Sequence, residues 1–244
     1  MPSRLSGGLQ TNPAELRTSS STQQAPLGAY IESTNGMGFR YVLNGATAMA
    51  PGNLYQGPAE TTTHQALVPA AAAVGDTSIA ITLGASAANE DEYKGGLVVV
   101  ATNAAEGEYY EIVGHSAVAS SGTLTATLAT PIKRAITTAS TIDLVRNPYR
   151  GVVVAATTPT AGAVGFALHD IAASEYGWVQ THGPGVVRAG VALVVGLSLA
   201  RSTGTAGALS PASGESGDVA SNMVAYALTG ITASEFGAAY LLID

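Results

Sequence analysis

Phe166-Ala-Leu-His-Asp-Ile-Ala-Ala-Ser-Glu-Tyr-Gly177 returns sixty residues later as Tyr226-Ala-Leu-Thr-Gly-Ile-Thr-Ala-Ser-Glu-Phe-Gly237. Seven of the twelve positions are identical and two more exchange Phe with Tyr. An echo at a fixed offset marks one structural unit used twice. Each copy reads as a β-hairpin. Val164, Phe166 and Leu168 alternate with small residues, and Trp178-Val179-Gln180-Thr181 resumes the strand beyond Gly177. The second copy does the same over Val224 to Leu228 and Ala238 to Ile243. Asp170/Gly230 and Gly177/Gly237 supply turn chemistry, and Ile171/Ile231 is expected to fold the loop back over an open barrel end. Two such hairpins at the ends of one segment predict a small closed or nearly closed barrel.

Working outward from the repeat, the chain reads as all-β. Phe39, Tyr41 and Leu43 alternate before an Asn44-Gly45 turn, and Pro51-Gly52 marks another. Ile79, Ile81 and Leu83 share one face. Leu97 to Val100, Tyr109 to Val113, Leu124 to Leu128 and Ile142 to Val145 follow between Gly, Asn, Ser and Thr clusters, the spacing of a compact sandwich or barrel that Asn147-Pro148 ends. Between the two hairpin copies, Val186 to Arg188, Ala192 to Val195 and Leu197 to Arg201 read as further strands. Helical periodicity is weak throughout. The expected organisation is an extended N-terminal arm over 1–29, short strands and linker over 30–66 that join a barrel, a β-sandwich or barrel over 67–150, and a C-terminal β-barrel over 151–244. With 244 residues the chain has room for two modest domains or for one large all-β domain with an insertion.

Charged residues make up only 11% of the chain, against roughly a quarter in an average soluble protein. A surface of Ala, Thr, Ser and Gly that lacks charge is expected to meet other protein. The net charge is −7, and Lys94 and Lys133 are the only lysines. Clustered Lys/Arg for a nucleic-acid backbone is missing, so no nucleic-acid partner is expected. Without cysteine, neither a disulfide framework nor a thiolate zinc site can form. The apolar stretch Ala189 to Ala200 is broken by Gly196 and Ser198 and is too short to span a bilayer. The N-terminus has no apolar run of the signal-peptide kind, so a soluble protein made in a cytoplasm, with no membrane partner, is expected.

No motif carries recognised chemistry. His64, His115, His169 and His182 lack a partner at metal-ligand or acid/base spacing, and His169 becomes Thr229 in the second copy. His182, in Thr-His-Gly-Pro, reads as a turn residue bonding its own loop. Gly114-His-Ser116 lacks the closing glycine of a nucleophile elbow. Asn89-Glu-Asp-Glu92 lacks the register of a calcium loop and reads as a solvated turn. Glu175 and Glu235 occupy equivalent repeat positions and are expected to accept backbone N–H bonds in their turns. Gly36-x-Gly38 and Gly183-x-Gly185 lack the third glycine of a dinucleotide fingerprint. Trp178 reads as core, with a stacking platform as the alternative. The expectation is a chain with no catalytic, metal or cofactor site.

The phrases Phe39-Arg-Tyr-Val-Leu-Asn-Gly-Ala46, Pro51-Gly-Asn-Leu-Tyr-Gln56, Gly75-Asp-Thr-Ser-Ile-Ala-Ile-Thr-Leu-Gly84, Gly107-Glu-Tyr-Tyr-Glu-Ile112 and Tyr176-Gly-Trp-Val-Gln-Thr-His-Gly183 together resemble virion structural proteins of tailed bacteriophages, and more narrowly head decoration, or cement, proteins. The resemblance spans about residues 25 to 244. It implies a non-enzymatic, β-rich protein on the capsid exterior, bound to the major capsid protein and often trimeric. The 1–29 arm has too few apolar side chains to offset the ordering of its own backbone, so it is expected to be disordered alone and to order against neighbours in the assembly. Leu5, Leu9, Leu16 and Leu27 are its available anchors, and Arg4 and Arg17 suit an acidic capsid surface. Two further readings belong to other classes. One is a head-fibre or tail adhesin module that binds a cell-surface glycan through Trp178 and the tyrosines; the other is a hydrolase whose triad assembles only in space.

Overall fold

The computed structural model describes residues 16–33, 35–212 and 223–244. Among these, the strands in chain order are β1 (Tyr30–Glu32), β2 (Gly38–Asn44), β3 (Leu54–Gln56), β4 (Ser78–Thr82), β5 (Leu97–Thr102), β6 (Tyr109–Gly114), β7 (Thr123–Leu128), β8 (Thr141–Val145), β9 (Arg150–Val154), β10 (Ala163–Ala167), β11 (Tyr176–Arg188), β12 (Ser198–Arg201), β13 (Leu209–Pro211), β14 (Met223–Ala227) and β15 (Phe236–Leu242). One short 3-10 turn covers Thr62–His64. The fold is all-β.

The chain forms two compact units, residues 59–147 and the discontinuous pair 1–58 with 148–244. These boundaries differ from those expected at 66/67 and 150/151. β1 to β3 belong with the C-terminal strands because β2 pairs with β11 and β3 pairs with β10, both far away in sequence. The chain is therefore one large β unit carrying an inserted one.

In the inserted unit the strand order is β4-β7-β6-β5-β8, antiparallel throughout. The Leu67–Ala70 stretch closes the ring. Leu67 exchanges backbone bonds of 2.8 and 2.9 Å with Ile142 of β8, while Ala70 N–H reaches Ala80 O at 2.8 Å and Thr82 N–H reaches Val68 O at 3.1 Å on β4. Closure removes the exposed edges that an open sheet would leave. Strict alternation fills the interior: Ile79, Ile81, Val98, Val100, Tyr110, Ile112, Leu124, Ala126, Ile142 and Leu144 all point inward.

The larger unit contains two rings that share one strand. The first runs β2-β9-β3-β10-β11 and returns to β2; the other runs from β11 through β15, β14 and β12 to β13. It closes through a parallel bridge from Ala189, at the end of β11, to Leu209. The two rings repeat one topology. In each, the opening strand pairs in parallel with the third strand of its ring, β2 with β9 and the end of β11 with β13, and every other neighbour is antiparallel. Val42, Met49, Val152, Val164, Ile171 and Val179 fill the first interior. The second is filled by Val187, Leu193, Leu199, Ala225, Ile231 and Leu241, and also by Leu54, Ala155 and Phe166 from the outer wall of the first ring. That double use explains why β3 and β10 are buried on both faces instead of alternating.

Each of the three barrels has a cap of the same construction. Ile171 exchanges backbone bonds with Met49, Ile231 with Leu193, and Val118 with Ala88. Three residues after each of Ile171, Ile231 and Val118, a serine (Ser174, Ser234, Ser121) takes a left-handed backbone, φ 60, 69 and 59°. Its N–H donates to Gly45, Ala189 and Gly84 respectively, at 2.7 to 2.9 Å. Three residues after Met49, Leu193 and Ala88 stand Gly52, Gly196 and Asp91, again left-handed. The expected fold-back of Ile171 and Ile231 over the barrel ends is present, and both are buried. Gly177 and Gly237 are strand residues, not turn residues. Ala192 to Val195, expected as a strand, is part of the third cap, with Leu193 in an isolated bridge.

Candidate interaction surface

Both histidines of the inserted barrel are absorbed by structure. His64 is fully buried, with Nε2 3.0 Å from the carbonyl of Ser86 and Nδ1 bonded to the Tyr93 hydroxyl. A carbonyl only accepts, so Nε2 carries the proton and Nδ1 accepts from Tyr93. The Tyr93 backbone N–H donates to His115 Nε2 at 3.0 Å, which leaves His115 Nδ1 to donate to Ser116 O at 2.9 Å. Burial raises the Tyr93 hydroxyl above its ordinary range. Arg146 lies 5.9 Å from the Tyr93 ring centroid, bonds Thr61 Oγ1 at 2.8 Å and pairs with Glu92. Asp91 pairs with Lys94 at 2.9 Å, and that bond holds its carboxyl below the usual range. The Asn89 to Glu92 stretch is thus a left-handed turn tied by two ion pairs, not a freely solvated one.

In the larger unit, His182 lies inside β11, contrary to the turn expected for it. Its Nδ1 is 3.2 Å from Asp244 O and its Nε2 3.3 Å from the Tyr240 hydroxyl. Arg40 grips Asp244 with two bonds of 3.0 Å, and its guanidinium sits 5.1 and 5.7 Å from the Tyr30 and Tyr149 ring centroids. Asp244 is lowered: burial opposes its charge, and the Arg40 bonds, with help from Thr181, outweigh that. His169 is lowered by burial, and neither ring nitrogen has a partner among the described residues. Glu175 accepts the Ser19 hydroxyl through its carboxylate, not a backbone N–H of its own turn. Among the described residues no three of His, Asp and Glu converge as metal ligands, and no helix is long and apolar enough to cross a membrane.

Of the arm residues, Arg4, Leu5 and Leu9 lie outside the described residues. Leu16 is buried, Leu27 half-buried and Arg17 exposed. The described part of the arm is held by its own chain. Ser20 exchanges backbone bonds of 2.8 and 3.0 Å with Tyr176, and Gln24 N–H donates to the Tyr41 hydroxyl at 2.9 Å. Gly28 N–H reaches Tyr41 O at 2.8 Å. Tyr41 points away from the barrel interior, since its neighbour Val42 points in, yet it is only 2% exposed. The strap accounts for this by crossing outside Tyr41 and Tyr176. Trp178 is half-buried and tilted against Tyr41 at 5.0 Å, so it is an outer-face residue and not core. Polar arm composition concealed this intramolecular docking, because backbone bridges, the Ser19 and Tyr41 hydroxyls and an Arg40 bond to Gly28 O carry it.

Of the large hydrophobic side chains exposed among the described residues, Val186, Val191, Val194, Val195, Met223, Leu228 and Phe236 lie on the third barrel, the ring from β11 to β15, and the others are spread over the first and inserted barrels. Val194 and Val195 take the cap positions held by Asn89 and Glu90 in the inserted barrel. Tyr226 and Tyr240 stack in parallel at 5.2 Å on the same outer face as Phe236. The chain matches no family model, no curated protein and no solved structure.

Proposed function

We propose that this chain is a non-enzymatic virion structural protein of a tailed bacteriophage, made in the host cytoplasm, that binds the capsid exterior through the major capsid protein and stabilises the shell. The observation that carries this reading is the exposed apolar surface of the third barrel in a chain with only 11% charged residues. Contiguous apolar surface marks sites of protein association. The buried histidines and most of the described carboxylate contacts serve caps and folds, which fits a scaffold. We further propose a homotrimer, which light scattering of the free and bound protein tests. The test of the main reading is to mix purified protein with undecorated particles and count copies by electron microscopy. Many copies spread over the shell support it, whereas a few at one tail vertex overturn it. Deleting residues 2–28 asks whether the strap contributes: unchanged occupancy and unchanged heat resistance of the particles leave binding to the barrels alone.

The parallel Tyr226–Tyr240 pair, with His182 edge-on to Tyr240 at 5.4 Å, favours one second reading. Flat, partly exposed rings suit a sugar face, as a glycan-binding fibre or adhesin module requires. Glycan-array binding abolished by Tyr226→Ala would establish it.

A further inference from the structure

The internal repeat places Tyr176 and Phe236 at one position, and the inward-pointing Val42 and Val187 make Tyr41 and Val186 their outward neighbours. On the first barrel this face is covered by residues 20–28. On the third barrel the same face is bare: Val186 is 56% and Phe236 54% exposed, against 2% for Tyr41. Arg188 stands directly across the strand pair from Phe236, and among the described residues it has no ion pair. Gly52 of the first cap floors the patch; a Cβ there would meet Phe236 Cδ1 at 2.7 Å and Val186 Cγ1 at 3.5 Å. The patch therefore offers two apolar side chains and one uncompensated cation on a face that elsewhere in this molecule takes an extended chain.

We propose that this face receives an extended segment of the shell subunit, laid across β11 and β15 as the strap lies across β2 and β11, with an apolar side chain against Phe236 and a carboxylate at Arg188. The inference rests on the virion reading and names the surface and partner chemistry it would use. Cross-strand neighbours stand close enough for one short segment to engage both residues. The cation selects an acidic segment, and both the aromatic and the arginine are residue types enriched where proteins associate.

Phe236→Ser and Arg188→Glu are each expected to lower occupancy on undecorated particles roughly tenfold or more. Tyr109→Ser, a comparably exposed position on the inserted barrel, is expected to bind as wild type. Thermal melts that match wild type exclude unfolding as the cause. A photo-crosslinking p-benzoylphenylalanine in place of Phe236 is expected to capture a peptide of the shell subunit containing Asp or Glu. Wild-type binding with undiminished binding of both variants, or crosslinks only to a second copy of this chain, would overturn the inference and leave the virion reading standing. Failure of the wild-type chain to bind particles would overturn both.

Discussion

Ile171 lies directly on Gly177: a Cβ at that glycine would stand 2.6 Å from Ile171 Cδ1, and the repeat reproduces the contact between Ile231 Cγ1 and the same point on Gly237. The fold-back of the cap is thus built on a missing side chain. Gly177→Ala should lower unfolding free energy by about 1–3 kcal/mol through overpacking. Ile171→Val removes the closest atom, so the double variant should lose less than the sum of the singles in urea titrations. Strict additivity would show that the contact is not the source of the loss.

His115 accepts the backbone N–H of Tyr93, a residue with no exposed surface. His115→Ala strands that donor, and the inserted barrel should lose about 1–3 kcal/mol. The measurement is denaturant unfolding followed by tyrosine fluorescence. An effect under about 0.5 kcal/mol, the usual size for a neutral surface change, would mean that water or a rotated neighbour replaces the ring.

Burial lowers His169, so the unfolded chain takes up its proton first as pH falls. Its contribution is fully present above the ordinary histidine value of about 6.5 and declines as pH drops from there toward the lowered folded value. His169→Thr, the residue that the second copy carries, should flatten stability in the range that opens at the ordinary histidine value of about 6.5 and runs downward. Asp244 is also lowered, which places its contribution above the usual carboxylate value of about 3.9, to be lost as pH falls through its lower folded value. Asp244→Asn should therefore flatten the acid limb alone. Melting temperatures across pH for both variants separate the two ranges.

Gly57 and Pro148 are neighbours: a Cβ on Gly57 would lie 3.0 Å from Pro148 O. The host unit thus brings together the two points between which residues 59–147 are inserted. Replacing 59–147 with a short glycine linker should leave a cooperatively folding remainder, and 59–147 alone should fold around its own core. Circular dichroism and calorimetry of the two pieces check this; a molten remainder would show that the host needs its insert.

The strands were legible wherever one face alone is buried. Ile79, Ile81 and Leu83, or Leu124 and Leu128, alternate cleanly, and the Ile171/Ile231 echo disclosed the fold-back. β10 is legible as a strand from Val164 and Phe166, but the two do not share the face that their alternation predicts: a register shift beside Gly165 sends Val164 into the first core and Phe166, like Leu54, into the second. The cap of the inserted barrel went unseen because Val118-Ala-Ser-Ser-Gly122 shares little side-chain identity with Ile171-Ala-Ala-Ser-Glu175; backbone bonds and a left-handed serine carry the likeness. Val194 and Val195 suggested a strand through their β-branching, whereas a cap loop exposes them, 67% and 62%. The bare face around Phe236 was invisible for a simpler reason. Whether a strap covers an outer face is decided by a segment distant in sequence, not by the residues of the face itself.

β11, thirteen residues long, closes both rings of the larger unit. Its Trp178 end pairs with β2, and its Val186 end pairs with β15. Tension applied between the two barrels therefore runs along one hydrogen-bonded strand loaded in shear and not through a flexible hinge. Neither ring can be unzipped without stripping a strand from the other. A protein that grips at one barrel and is strained at the other would respond as a stiff tether, yielding in a single step in a pulling experiment.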